Sequence, residues 1–149
     1  MIQNKMGEIM KEEFGQLMGD TARLWRMSLN ERLKPLGLSH AKWSAMLLMS
    51  RHKEGIIQHE LATYLTIENS TLARLLNSLE ADGWIQRVEH PHDKRAKIVQ
   101  FTVEGAVRFE DSKMIIHALR SEILMGVNDE MLLKSIKTLR IIFGNLTNL

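Results

Sequence analysis

The chain has 149 residues and no cysteine, which excludes disulfides, thiolate catalysis and every cysteine-based zinc site. Apolar residues make up 44% and charged residues 26%, an ordinary globular balance, and two prolines with 5% aromatics favour helix over a sandwich or barrel. The net charge, 20 − 18 = +2, is neither acidic enough to mimic nucleic acid nor basic enough to require it as a partner.

A single chain of this size buries about 70% of the surface its unfolded form exposes, so it needs no staple. The longest purely apolar run, Ala45 to Met49, is far short of the ~20 residues of a membrane span. Met1 to Lys5 hold no apolar block of the signal-peptide kind. The expectation is a cytoplasmic protein with no membrane partner.

From Gly7 to Leu33 there is no proline, and Met10, Phe14, Leu17, Leu24, Trp25, Leu29 and Leu33 recur mostly at helical steps, which predicts one long helix. Pro35 and Gly37 stop it. Ser39 can cap a second helix, carrying Trp43, Leu47 and Leu48 and ending near Gly55. Gln58 to Leu65 reads as a short helix, Thr66-Ile67-Glu68 as a break, and Asn69 to Asp82 as a longer helix. Leu72, Leu75, Leu76 and Leu79 give that helix its apolar face, and Gly83 sits where a left-handed C-cap belongs. Helix, short turn, helix is a helix-turn-helix.

Then the period changes. Trp84 to Glu89 and Ile98 to Phe101 are rich in β-formers, with Pro91 to Arg95 between them, which predicts a two-stranded hairpin with a long charged loop. The whole is a mainly α winged helix-turn-helix with a small β-wing. Thr102 caps the next helix, Gly126 and Asn128 break and recap the chain, and Leu132, Ile136, Leu139, Phe143 and Leu146 form a heptad seam on the last one. The organisation expected is an N-terminal helical segment over 1–38, a winged lobe over 39–102 and C-terminal helices over 103–149. The two terminal segments can pair with each other in a compact monomer, or intertwine with a second copy on a two-fold axis.

The polar face of the Asn69–Asp82 helix carries Ser70, Thr71, Arg74, Asn77 and Ser78. Arg can bond two acceptors of guanine, Asn can pair with adenine, and Ser or Thr can hold phosphate near a helix start. Lys94, Arg95 and Lys97 lie at the wing tip, where an arginine can enter the narrow, negative minor groove of A/T-rich DNA. His90-x-His92 beside Asp93 is too poor a donor set for a metal site in the absence of cysteine, and no metal or cofactor is expected. No Gly-rich phosphate loop, metal-ligand spacing or Ser-centred elbow points to an enzyme. A winged helix that docks proteins without reading DNA is the alternative, but it has no need of paired cations at the wing tip or of Arg74.

The run Asp93-Lys94-Arg95-Ala96-Lys97-Ile98-Val99-Gln100-Phe101-Thr102 resembles the wing signature of the MarR family of bacterial transcriptional regulators, Asp-x-Arg followed by a hydrophobic strand and Leu-Thr, with Phe101 in place of Leu. Arg32 to Leu36, Trp43, Ile67-Glu68, Arg74, Leu79-Glu80 and Gly83 resemble its SlyA branch, over roughly residues 19–105, while Ser70 stands where that branch often has Pro. The resemblance implies a homodimer whose dimerisation region is built from both termini, on double-stranded DNA with an inverted-repeat, often A/T-rich operator. It places Ser70, Thr71 and Arg74 in the major groove and Arg95 in the minor groove, with Asp93 orienting the wing. It further implies a cleft, at Arg23, Trp25, Arg26 and Trp43, for a small aromatic carboxylate effector that releases the DNA, and a nucleoid-associated place in the cytoplasm.

Overall fold

A computed structural model describes the backbone of residues 2–149 and the side chains from residue 5 onward. Met1, and with it part of the leader reading, lies outside the described residues. The chain forms two compact units, one ending at Ile116 and one from His117 to Leu149.

The first unit opens with helix α1 (Ile2–Leu33) and a short 3-10 turn at Lys34–Leu36, closed by Gly37 in the left-handed region. Only the end of α1 joins the core: Leu29 and Leu33 are buried, whereas Met10, Phe14, Leu17 and Leu24 are exposed. Helix α2 (His40–Met49) is capped by Ser39, whose Oγ accepts from the Lys42 N–H at 3.2 Å. It ends at Met49 rather than near Gly55. The Ser50 hydroxyl donates to the Leu47 carbonyl at 2.7 Å, and turns follow through Glu54.

Helix α3 (Gln58–Leu65) and helix α4 (Asn69–Ala81) are the two arms of the helix-turn-helix. Between them Thr66 sits at φ 56, and the Ile67 and Thr66 N–H groups donate to the Ala62 and Thr63 carbonyls, a Schellman closure. The end of α4 closes the same way. Gly83 is at φ 74, its N–H donates to Glu80 O at 3.0 Å, and the Trp84 N–H reaches Leu79 O at 2.9 Å. That turn drops Trp84 into the core, with Leu72, Leu76 and Leu79 of the apolar face also buried. Arg108 covers the Trp84 ring at 3.8 Å and donates to Asp82 O at 3.1 Å.

The sheet has three strands, not two, in the order β1-β3-β2. Strand β1 is only Ile56–Ile57; β2 is Ile85–His90 and β3 is Asp93–Phe101, all antiparallel. A two-residue strand shows no alternation, so the sequence pattern could not reveal it. Its presence depends on Gly55, which lies at φ 92 against β3. A Cβ there would stand 2.5 Å from Ile98 Cγ2 and 3.0 Å from Val99 O. The wing loop is also tighter than expected, because only Pro91 and His92 separate β2 from β3.

Helix α5 (Val103–Ile123) starts at Thr102, whose Oγ1 accepts from the Gly105 N–H and donates to the Gly83 carbonyl, both at 2.8 Å. One hydroxyl thus ties the end of α4 to the start of α5. The second unit holds the end of α5 and helix α6 (Asp129–Leu146), capped by Asn128, which accepts from the Met131 N–H at 2.9 Å. Its heptad residues Ile136, Leu139, Phe143 and Leu146 are all exposed. Among the described residues no helix is long and apolar enough to cross a membrane.

Gly55→Ala should lower stability by about 2 kcal/mol, through the left-handed backbone and the collision with β3. Chemical denaturation checks this. A loss well under 1 kcal/mol would mean that β1 can move away from β3 at little cost.

Candidate nucleic-acid interface

The apolar face of α4 goes into the core and leaves its opposite face outward. Ser70, Thr71 and Arg74 are exposed there, in the first half of the helix, the part that enters a groove in reading helices. Ser78 is half-buried. Asn77 is exposed, but its Oδ1 already accepts from Arg87 Nη2 at 2.7 Å.

That contact belongs to a clamp the sequence did not reveal. Arg87 of β2 donates through its backbone N–H to Glu80 Oε1 and through Nε to Oε2, each at 3.1 Å, and Nη2 also bonds Oε2. The guanidinium has donors only, so the Asn77 amide must turn its oxygen inward and its NH₂ outward. One of the two lone pairs of the Asn77 oxygen is thus taken by Arg87, so a bidentate adenine pair there would share that acceptor. In the sequence Arg87 is simply one more cation near the wing. No periodicity signals a bond from a helix to the strand after it; the one cue was a Glu and an Arg flanking the Gly83 turn.

The wing presents its cations through an irregular register. Glu89 pairs with Lys97 and His90 with Asp93, so Lys94, Arg95 and Ala96 of β3 have no counterparts on β2. The bulge pushes Arg95 into solvent, with its side chain 93% exposed. Asp93 holds it from behind, its Oδ1 accepting from the Arg95 N–H at 3.0 Å and from Nε at 3.4 Å. Lys94 is exposed, and Lys97 pairs with Glu89 at 3.4 Å. At the tip the His92 N–H donates to His90 Nδ1 at 3.2 Å. Among the described residues no group of three or more His, Asp or Glu is placed to hold a metal.

The residues expected at an effector cleft are dispersed in character. Trp43 is a core residue, 2% exposed, its ring 4.9 Å from that of Phe109 and its Nε1 without a hydrogen-bond partner among the described residues. Trp25 is half-buried. Arg23 is on the surface, bonded along its own helix to Asp20 at 3.2 Å. Arg26 acts on His40, the first residue of α2, whose N–H donates to Asn30 Oδ1 of α1 at 2.7 Å.

Two pH dependences follow. Burial, and then the charge of Arg26, hold the His40 imidazole below its ordinary 6.5. The unfolded chain then binds more protons than the folded one, so this contribution is complete above 6.5 and is lost as pH falls through it. The melting temperature should drop between about pH 7.5 and 5.5, and less so in His40→Gln; an equal drop in both would clear His40. The hydrogen bond from Arg87, ahead of its charge and against the effect of burial, holds the Glu80 carboxyl below its ordinary 4.5. Arg87→Ala should cost roughly 1 kcal/mol near neutral pH. Its gap to the parent chain should close as pH falls below 4.5 and Glu80 protonates. A gap constant with pH would separate the loss from the Glu80 charge.

Known proteins share this fold. The model of the MarR family matches residues 36–96, from the end of the 3-10 turn into the wing bulge. A Bacillus subtilis (strain 168) protein named uncharacterized HTH-type transcriptional regulator YwoH is 33% identical over 113 residues, which are 76% of this chain and 81% of that protein. The crystal structure of transcriptional regulator PA3341 is 37% identical, with a TM-score of 0.79 over 91% of this chain and 99% of that one. A mutant MarR from E. coli, solved in complex with operator DNA, shares the fold at a TM-score of 0.80 and 24% identity, over 87% of this chain and 93% of that one. With its helix-turn-helix, its bulged wing and these relatives, the chain belongs to the MarR family of DNA-binding transcriptional regulators.

Proposed function

We propose that the chain acts as a homodimer that reads an inverted-repeat, A/T-rich operator. The observation that carries this reading is the pairing, within one lobe, of an outward α4 face at Ser70, Thr71 and Arg74 with an arginine extruded at the wing. The helix takes the major groove, where Arg74 bonds base edges or phosphate and the two hydroxyls hold the backbone. Arg95, fixed at its base by Asp93, takes the adjacent minor groove, whose negative potential deepens in A/T-rich tracts. Lys94 and Lys97 add phosphate contacts. Asn77 and Ser78 border the reading face, where the Asn77 oxygen already accepts one hydrogen bond from Arg87.

The apolar surface supports the dimer. Ile9, Met10, Phe14 and Leu17 are bare on α1, and Ile136, Leu139, Phe143 and Leu146 are bare on α6. Apolar rows of that length at helical spacing are covered in stable proteins. A second copy covers both and sets two reading helices on one two-fold axis.

Selection of random duplex DNA by the purified protein tests the reading. It should enrich an inverted repeat with half-site centres about 10 bp apart, and affinity should fall with salt at a log–log slope near −0.9 per phosphate neutralised. Weak, equal binding to all sequences would overturn operator reading. Arg95→Ala should weaken binding by roughly 1–2 kcal/mol on A/T-rich flanks and less on G/C-rich ones. The same loss on both flanks would remove Arg95 from the minor groove.

A further inference from the structure

A cleft of about 560 Å³ opens between the starts of α3 and α4 and the wing, and Gln58, His59, Asn69, Asp93, Arg95 and Lys97 are on its walls. Its place has a geometric meaning. The major and minor grooves of a duplex lie on either side of one sugar–phosphate strand. A lobe with α4 in one groove and Arg95 in the next must straddle that strand, and this cleft is the space between the two.

The side chains suit an oxyanion. Arg95 and Lys97 bring two cations, the second paired with the Glu89 carboxylate of β2 at 3.4 Å. The one carboxylate on the walls, Asp93, is engaged by the Arg95 N–H and Nε. His59 faces them from α3, bridged to α4 by Asn69: its Nδ1 lies 3.3 Å from Asn69 Oδ1 and 3.2 Å from Nδ2. A primary amide can serve an imidazole in either state. Its NH₂ donates to the bare Nδ1 of the neutral ring, and after rotation its oxygen accepts from the Nδ1–H of the charged ring. In both states Nε2 carries a hydrogen, so the ring stays a donor whether or not it is protonated.

We propose that this cleft seats a backbone phosphodiester and that His59 is its proton-linked ligand, so that DNA binding takes up a proton at His59. The proposal rests on the DNA-reading function above. Glu60, next to His59 on α3, and Glu68, ahead of α4, are exposed carboxylates whose pull water screens. A phosphodiester seated beside His59 favours the charged ring, because the imidazolium gains a charge-assisted bond to it. Affinity for DNA therefore rises as pH falls through the imidazole range.

The test is the dissociation constant of a duplex of roughly 30 bp, long enough for two half-sites a turn apart, measured at about pH 8 and pH 5.5 and constant ionic strength. The readout is the ratio of the two constants, for the parent chain and for His59→Gln. The wing-tip histidines His90 and His92 add to both ratios alike. The parent ratio should be roughly tenfold and that of His59→Gln no more than about half as large, since one linked proton contributes at most about tenfold per pH unit. Equal ratios in the two proteins would overturn the proposal. Loss of the difference when inorganic phosphate replaces chloride at the same ionic strength would assign the cleft to the free anion instead, and overturn the backbone assignment. Binding by neither protein at either pH would bring down the DNA reading itself, a result distinct from equal ratios.

Discussion

The clamp of Arg87 on Glu80 and Asn77 joins helix α4 to the wing. The two are consecutive in sequence, and in the proposed function they take different grooves, so their relative placement would set what the lobe can bind. Three donors of Arg87, one from the backbone and two from the guanidinium, converge on the Glu80 carboxylate, and the outer nitrogen also takes the Asn77 oxygen. A lysine offers a point charge, whereas the planar fork fixes direction as well as distance. The bond occupies one of the two lone pairs of the Asn77 oxygen and fixes the orientation of that amide on α4.

Around the clamp, the Gly83 turn sets the other end of the connection. It reverses the chain by a Schellman closure, plants Trp84 beneath α4 and passes directly into β2. Arg108 lies over the Trp84 ring and Thr102 bonds back to Gly83, so the start of α5 holds the same corner. The wing leaves this rigid base through β3, paired on both sides at Val99, and becomes irregular only at Lys94–Ala96. Rigidity at the root and a bulge at the tip together extrude Arg95 while limiting where it can go.

The sequence was most legible where local chemistry decides the outcome. Ser39, Thr102 and Asn128 each cap the helix they were expected to cap, because a side-chain oxygen near three bare N–H groups needs no tertiary partner. The leucine face of α4 and the left-handed Gly83 are equally local. Pairings that depend on register were not legible. Strand β1 is too short to have a period, and the wing bulge reflects a shift on β3 that its composition does not encode. Arg87 reads as a solvated cation until Glu80 is placed beside it. His59 and Asn69 are ten residues apart, on different helices, and meet only because Thr66 turns the chain at positive φ.

The central claim is that α4 and the wing engage adjacent grooves of one duplex as a single unit, twice per dimer. Hydroxyl-radical footprinting of a selected duplex tests it most directly, because it maps backbone protection strand by strand. The account predicts two protected segments related by a two-fold axis, about one helical turn apart, each spanning the strand between a major and a minor groove. A single protected segment, or protection confined to the major groove in both halves, would contradict it.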